Sequence, residues 1–289
     1  AGVYTGSFTV TCDGTEYAVP VSVTVWDTAV SEETHTKSLF DVGQYWSYGG
    51  NSIAALSGGE KDDSYAMKAK YTDFLLDYRL SSGGIASYPT EEGYADALFE
   101  YALDPRCTTI SIQGIWTWEW SDILGGAEYG NDWAAYRDTL TRLAELCILR
   151  YEETGEKFNV FDKAVTYFTL TDEAYINNVM HRPNKIFAEV FEVQEALAVE
   201  WEDTLICSDT DFVEELTDSM LAMEQLFCDM YTDQLVVENV TYCPTVDRYD
   251  TAYERAIYEE KSPGDKWWYT CSVPATPYPT YHIDDPQNM

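Results

Sequence analysis

Apolar and polar positions alternate over the first 26 residues. Phe8, Val10 and Cys12 are separated by Thr9 and Thr11, and Val19, Val21, Val23 and Val25 by residues including Ser22 and Thr24. Asp13-Gly14 between the two runs is a hairpin turn signal, so Val3–Trp26 is predicted to be a β-hairpin. Two strands cannot bury a face unaided. The hairpin is therefore expected to end a β-sandwich domain, residues 1–30, or to pack onto the chain beyond a linker at 28–36.

From Lys37 the pattern changes to strand, helix, strand, helix. Predicted strands fall at Ser38–Val42, Ile85–Tyr88, Thr108–Ile112, Val165–Leu170, Thr204–Ser208, Val237–Tyr242 and Lys266–Cys271. Helical spacing marks the segments between them: Met67 to Tyr78, Tyr94 to Tyr101, Trp133 to Tyr151, Pro183 to Trp201, Phe212 to Tyr231 and Tyr253 to Glu260. Ser81-Ser82-Gly83-Gly84 closes the first helix. Asn131 is expected to cap the third and Gly155 to end it. Strict alternation with no antiparallel run between points to a (β/α)8 TIM-type barrel over 37–289. The absence of a glycine-rich phosphate loop after the first strand argues against a dinucleotide fold. The count is one strand short, so the barrel is expected to be truncated after its seventh strand, unless an early segment supplies the eighth.

Charge narrows the partners. Seventeen basic against 51 acidic residues leave a formal net charge of −34. Phosphate binding needs a cationic surface, so a nucleic-acid or anionic-membrane partner is not expected. Solubility is the simplest account of the acidity, which also suits an extracellular or cell-surface protein. No run is long enough to span a membrane. The seven cysteines form no C-x-x-C pair, and with 3 His no zinc pattern appears, so neither metal nor cofactor is expected. Cys147 and Cys207, in apolar runs, read as small buried hydrophobes.

The chemistry centres on Ala164–Tyr175. Val165, Tyr167, Phe168 and Leu170 form an apolar run typical of a parallel strand buried on both faces, and Asp172-Glu173 follows Thr171 directly. In a barrel, residues just past a strand's C-terminal end face the active site. Successive strand residues point to opposite faces, so both acids reach one pocket only if the backbone turns there. Two carboxylates in one pocket are the equipment for cleaving a glycosidic bond. The competing account is the acidic first turn of a helix.

These residues resemble a known family. The hairpin, the Asp172-Glu173 strand, V-T-Y-C-P-T-V-D-R-Y-D at Val240–Asp250 and K-W-W-Y-T-C-S-V-P-A-T-P-Y-P-T-Y-H-I-D at Lys266–Asp284 are similar to segments of glycoside hydrolase family 123-like proteins, of the domain of unknown function 4091 type. The resemblance implies a β-sandwich followed by a catalytic barrel. It also implies removal of terminal β-linked N-acetylhexosamine, N-acetylgalactosamine in that family, by a retaining, substrate-assisted mechanism. Glu173 would be the general acid/base and Asp172 the partner of the substrate's acetamido group. Ala174 departs from the proline expected after the pair.

Further sugar-binding candidates are Trp116, Tyr242, Trp268, Tyr269 and Asp247. Trp116 and Trp118 follow the third strand and suit a stacking platform, although a packed loop explains them as well. Tyr242 and either Trp268 or Tyr269 suit an acetamido pocket, against core packing as the plain alternative. Asp247 or Asp250 would serve as the nucleophile of a two-carboxylate retaining glycosidase on another sugar. A barrel lacking its last unit also fits a non-catalytic carbohydrate-binding protein.

Overall fold

The computed structural model of the 289-residue chain describes residues 1–28, 34–40, 61–85, 87, 89–114, 116–121, 126–168, 171, 174, 178–229, 235–244, 252–261 and 267. The chain divides into two compact units, Ala1–Thr34 and His35–Met289.

The first unit is the expected hairpin. Strands β1 (Gly2–Cys12) and β2 (Thr15–Val25) pair antiparallel from Cys12–Thr15 to Gly2–Val25. Asp13 and Gly14 have φ of 48° and 79°. Two central residues at positive φ make a type I′ turn, whose twist matches that of the strands it joins. The register puts Tyr4, Phe8 and Val10 on one face with Val23, Val19 and Tyr17. Serines and threonines dominate the opposite face.

The second unit is mixed α/β. Its first helix, α1 (Lys61–Asp77), ends in a hydrogen-bonded cap. Leu80 N–H donates to the Leu75 carbonyl at 2.9 Å and Arg79 N–H to the Leu76 carbonyl at 2.9 Å. This is a Schellman motif, and its left-handed position is held by Arg79 at φ 63° rather than by glycine. The next strands were expected at Ser38–Val42 and Ile85–Tyr88. Pairing among the described residues there is a single parallel bridge, Phe40–Ser82, flanked by Phe40 N–H to Ser81 O at 2.9 Å and Gly83 N–H to Phe40 O at 3.0 Å. The extended stretch thus comes earlier than predicted, at serines assigned to the helix end.

Helix α2 (Tyr94–Leu103) leads into β3 (Ile110–Gln113). An antiparallel ribbon then interrupts the alternation: β4 (Trp116–Ser121) pairs with β5 (Gly126–Asn131). The expectation of no antiparallel run fails here. Helix α3 (Trp133–Thr154) follows; its cap is Asp132, which accepts from Ala135 N–H at 3.0 Å, and not Asn131. Gly155 closes it at φ 74°, as expected. A 3-10 turn (Val160–Lys163), capped by Asn159, feeds β6 (Ala164–Tyr167), and α4 (His181–Thr204) comes next.

Two predicted elements are corrected after α4. Residues 205–209 are not a strand: Ile206 is 86% exposed, and Asp209 caps α5 (Thr210–Leu221) by accepting from Phe212 N–H. The long helix expected to Tyr231 stops at Leu221, and Glu224–Cys228 is strand β7. Strand β8 is Thr241–Cys243, at the end of the predicted 237–242, and α6 is Ala252–Lys261. The predicted strand at 266–271 lies outside the described residues except for Trp267.

Strands β3, β6, β7 and β8 form one parallel sheet in that order. The strand leading to the acid pair is therefore internal, with β3 and β7 as neighbours. Each face of the sheet carries its own packing. Ile110, Ile112, Phe227 and Tyr242 join the main core with Tyr136 and Leu140 of α3, Phe187 of α4 and Phe212 of α5. The other face groups Val165, Leu226 and Cys243 with Trp267 and Leu39. On that second face Glu224 accepts from Lys37 Nζ at 3.0 Å and from Trp267 Nε1 at 3.2 Å. Residues 230 positions apart in sequence thus meet on one carboxylate.

Among the cysteines, Cys147 is buried as expected, and burial pushes its thiol up to about 12; Cys107 and Cys243 are buried too. Cys207 is only partly buried, against expectation, because its apolar run leaves the core after Leu205. No helix among the described residues is long and apolar enough to cross a membrane.

The cap of α1 yields a stability prediction. A left-handed residue with a Cβ costs about 1–2 kcal/mol, and glycine avoids it at a smaller entropic cost in the unfolded chain. Arg79→Gly is expected to raise stability by about 0.5–1 kcal/mol, read as a higher denaturation midpoint at unchanged slope.

Candidate functional site

The parallel sheet gathers the C-terminal ends of β3, β6, β7 and β8 at one end, and the described side chains there are closely packed. Gly114 follows β3. A Cβ on it would lie 2.6 Å from the Phe168 ring and 2.8 Å from Asn131 Oδ1. Phe168 follows β6 and is held edge-on by Trp133 at 5.7 Å and Phe187 at 6.5 Å between ring centroids. Gly114 is thus required by close approach: its backbone lies against an aromatic ring that has no room to move.

The backbone turns immediately after Phe168. Thr171 N–H donates to the Phe168 carbonyl at 2.9 Å and its hydroxyl to the same oxygen at 2.7 Å. Thr171 is fully buried. Ala174, where proline was expected, is also fully buried, and its carbonyl accepts from Val179 N–H at 2.8 Å. Asp172 and Glu173 lie outside the described residues, but both neighbours of the pair are buried and hydrogen-bonded. Thr171 thus closes onto the Phe168 carbonyl directly ahead of the pair in sequence.

The other predicted residues divide. Tyr242 lies in β8, 5% exposed, with its ring edge-on to Phe227 at 6.0 Å; burial raises its phenol pKa. Its ring belongs to the core on the helix side of the sheet. Trp116 opens the ribbon opposite Asn131 in the register. Asp247, Trp268 and Tyr269 lie outside the described residues, as does Asp250.

Four residues at this end had not been singled out for chemistry. Asn131, read only as a helix cap, is 4% exposed and its Nδ2 has no hydrogen-bond partner among the described residues. A buried amide left unpaired is costly, which marks the position as one that a ligand would satisfy. Asp229, directly after β7, is fully buried. Gln113, the last residue of β3, donates to the Gly83 carbonyl at 2.9 Å. Lys68 of α1 is 7% exposed, and a Cβ on Gly84 would lie 3.0 Å from its Nζ and 3.5 Å from Gln113 Nε2. One sequence signal was available: Gln113 directly follows the strand predicted at Thr108–Ile112, and barrel chemistry collects at strand ends; Asp229 gave none, because its strand lies inside the predicted helix. Lys68 and Asn131 gave none, because only tertiary packing buries them. Among the described residues no group of three or more His, Cys, Asp or Glu is arranged to hold a metal ion.

Gly114→Ala tests the packing of this end. The added methyl has nowhere to go, and overpacking of this kind costs about 1–3 kcal/mol. We expect that loss in denaturant unfolding. Displacing Phe168, four residues before Asp172, should also disturb any chemistry at the pair more than the stability loss accounts for.

No protein-family model matches the sequence, and no curated protein matches it.

Proposed function

We propose that this chain is a glycoside hydrolase that removes a terminal β-linked N-acetylhexosamine, N-acetylgalactosamine by the family resemblance, through a retaining, substrate-assisted mechanism. The observation that carries the reading is the setting of the acid pair. Asp172-Glu173 stands in sequence between buried, hydrogen-bonded Thr171 and Ala174, in the segment that follows an internal parallel strand ending at Tyr167. In a (β/α)8 barrel that is where catalytic side chains collect.

We read the second unit as such a barrel. Helices pack against one face of the sheet, while the other gathers segments from both ends of the unit around Glu224. A sheet rolled into a barrel has this division, with helices outside and side chains filling the inside. The acidic composition suits an extracellular or cell-surface setting.

The chemistry follows from two neighbouring carboxylates. Asp172 orients and polarises the substrate's acetamido group, whose carbonyl oxygen attacks the anomeric carbon. The glycosidic bond breaks as Glu173 delivers its proton to the leaving oxygen, giving an oxazolinium ion. Glu173 then takes a proton from water as that water attacks the anomeric carbon and opens the ring, with net retention. No protein nucleophile is needed, so the second carboxylate need not stand across the sugar at the double-displacement distance.

The two acids should fail differently. Glu173→Gln removes the proton donor, so an activated aryl N-acetylhexosaminide should be spared part of the loss seen with a poor leaving group. Asp172→Asn should depress both by roughly 10²–10³-fold, the usual effect of losing one charge-stabilising contact. A glycoside of the same sugar lacking the acetamide should be inert. Comparable turnover of that substrate would refute substrate assistance.

A further inference from the structure

Strands β7 and β8 each end on a cysteine. Their register pairs Leu226 with Thr241, Phe227 with Tyr242 and Cys228 with Cys243. Residues paired in a ladder leave the sheet on the same face. Here that face is the one that also holds Glu224: Cys243 groups with Val165, Leu226 and Trp267, and Cys228 packs against the same group. Both cysteines are thiols in this structure, Cys228 half-buried and Cys243 3% exposed. No other two cysteines among the described residues are paired across a sheet.

We propose that Cys228 and Cys243 are a disulfide-forming pair, oxidised by a low-molecular-weight disulfide such as oxidised glutathione, and that the bond locks the register of β8 on β7 at the C-terminal end of the sheet. Spacing allows it: neighbouring strands lie about 4.8 Å apart, inside the window of about 4.4–6.8 Å between Cα atoms that a disulfide spans. Direction allows it too, because both side chains leave the same face and no backbone has to turn over. Access divides the roles. Cys228 is the reachable thiol, so its thiolate attacks one sulfur of the small disulfide, whose S–S bond breaks and releases a thiolate. The Cys243 sulfur then attacks the Cys228 sulfur, and its proton goes to the second small thiol as that thiol departs. Two cysteines are oxidised to one disulfide, and one small disulfide is reduced to two thiols. The lock matters because β8 has only three residues, Thr241–Cys243. A slip of one residue would exchange its faces and take Tyr242 out of the core it shares with Phe227. A bond between Cys228 and Cys243 forbids that slip. The extracellular setting proposed above would supply the oxidant; nothing in the pair depends on the hydrolase reading.

The test equilibrates the full chain in glutathione buffers of rising oxidised fraction. Remaining thiols are then alkylated under denaturing conditions, and the peptides are mapped by mass spectrometry. A peptide pair joined through Cys228 and Cys243 is expected. It should appear at an oxidised fraction about tenfold or more below that needed for a glutathione adduct on the exposed Cys12, as a partner held at high effective concentration requires. The oxidised chain should need more urea to unfold than the reduced one, since the closed loop restricts the unfolded state. Cys243→Ala should leave Cys228 as a lasting glutathione adduct, whereas Cys228→Ala should leave Cys243 unmodified. Both variants should abolish the redox dependence of the urea midpoint. If either fails to fold, the peptide map of the unsubstituted chain decides alone. Recovery of Cys228 and Cys243 as alkylated thiols in buffers that modify Cys12, or their scrambling with the other cysteines in equal yield, would overturn the pair. A joined pair with an equal or lower urea midpoint would overturn the lock.

Discussion

Glu224 is where the second unit is tied together. Its carboxylate takes hydrogen bonds from Lys37, at the start of the unit, and from Trp267, beyond α6. The Glu224 side chain is 19% exposed and that of Lys37 35%. The pair is thus sheltered more than a surface ion pair, whose worth is usually about 0–1 kcal/mol, without the full desolvation cost of a deeply buried one. Leu39 and Trp267 also pack on Val165, Leu226 and Cys243, so apolar contact and the ion pair close the same point. The strands cannot splay apart at this end without exposing all of them.

Glu224 begins β7, so this closure lies at the N-terminal end of the sheet. The candidate site lies at the opposite, C-terminal end, where Gly114, Phe168, Thr171, Asn131 and Asp229 gather. The Glu224 contacts and the candidate site thus lie at opposite ends of the sheet. Between the two ends, buried rings contact one another from Phe168 through Phe187 and Phe227 to Tyr242. This aromatic row joins the residue after β6 to β7 and β8 through α4.

The elements legible in the sequence were those whose signal is local. Asp13-Gly14 carries its own turn geometry, and the run at Val165 is apolar because both faces of β6 are covered. The periodic apolar face of α3 settles that helix. The failures have a shared cause. Phe212, Leu216, Met220, Met223 and Phe227 keep helical spacing across the true boundary, so nothing local separates α5 from β7; pairing with β6 and β8 decides it. Leu205 and Ile206 look like a strand start, yet one is buried and the other exposed, because Asp209 starts a helix at once. The ribbon was legible in principle: Trp-Thr-Trp-Glu-Trp has a period of two. Read only as a sugar platform or a packed loop, it was not assigned as a strand. Near the candidate site, the buried strand ahead of the acid pair was legible. The burial of Asn131 and Lys68 was not, since it depends on segments distant in sequence.

A double-mutant cycle on Lys37→Met and Glu224→Gln, with Trp267 emission followed in each variant, tests most directly whether the unit closes on this carboxylate. The account predicts a coupling of about 1–2 kcal/mol between the two substitutions, within the range for groups in contact. It also predicts that Trp267 emission shifts whenever Glu224 is changed. Additive losses with unchanged emission would mean that the two ends of the unit do not meet at Glu224, and would contradict the closed arrangement on which the proposed site depends.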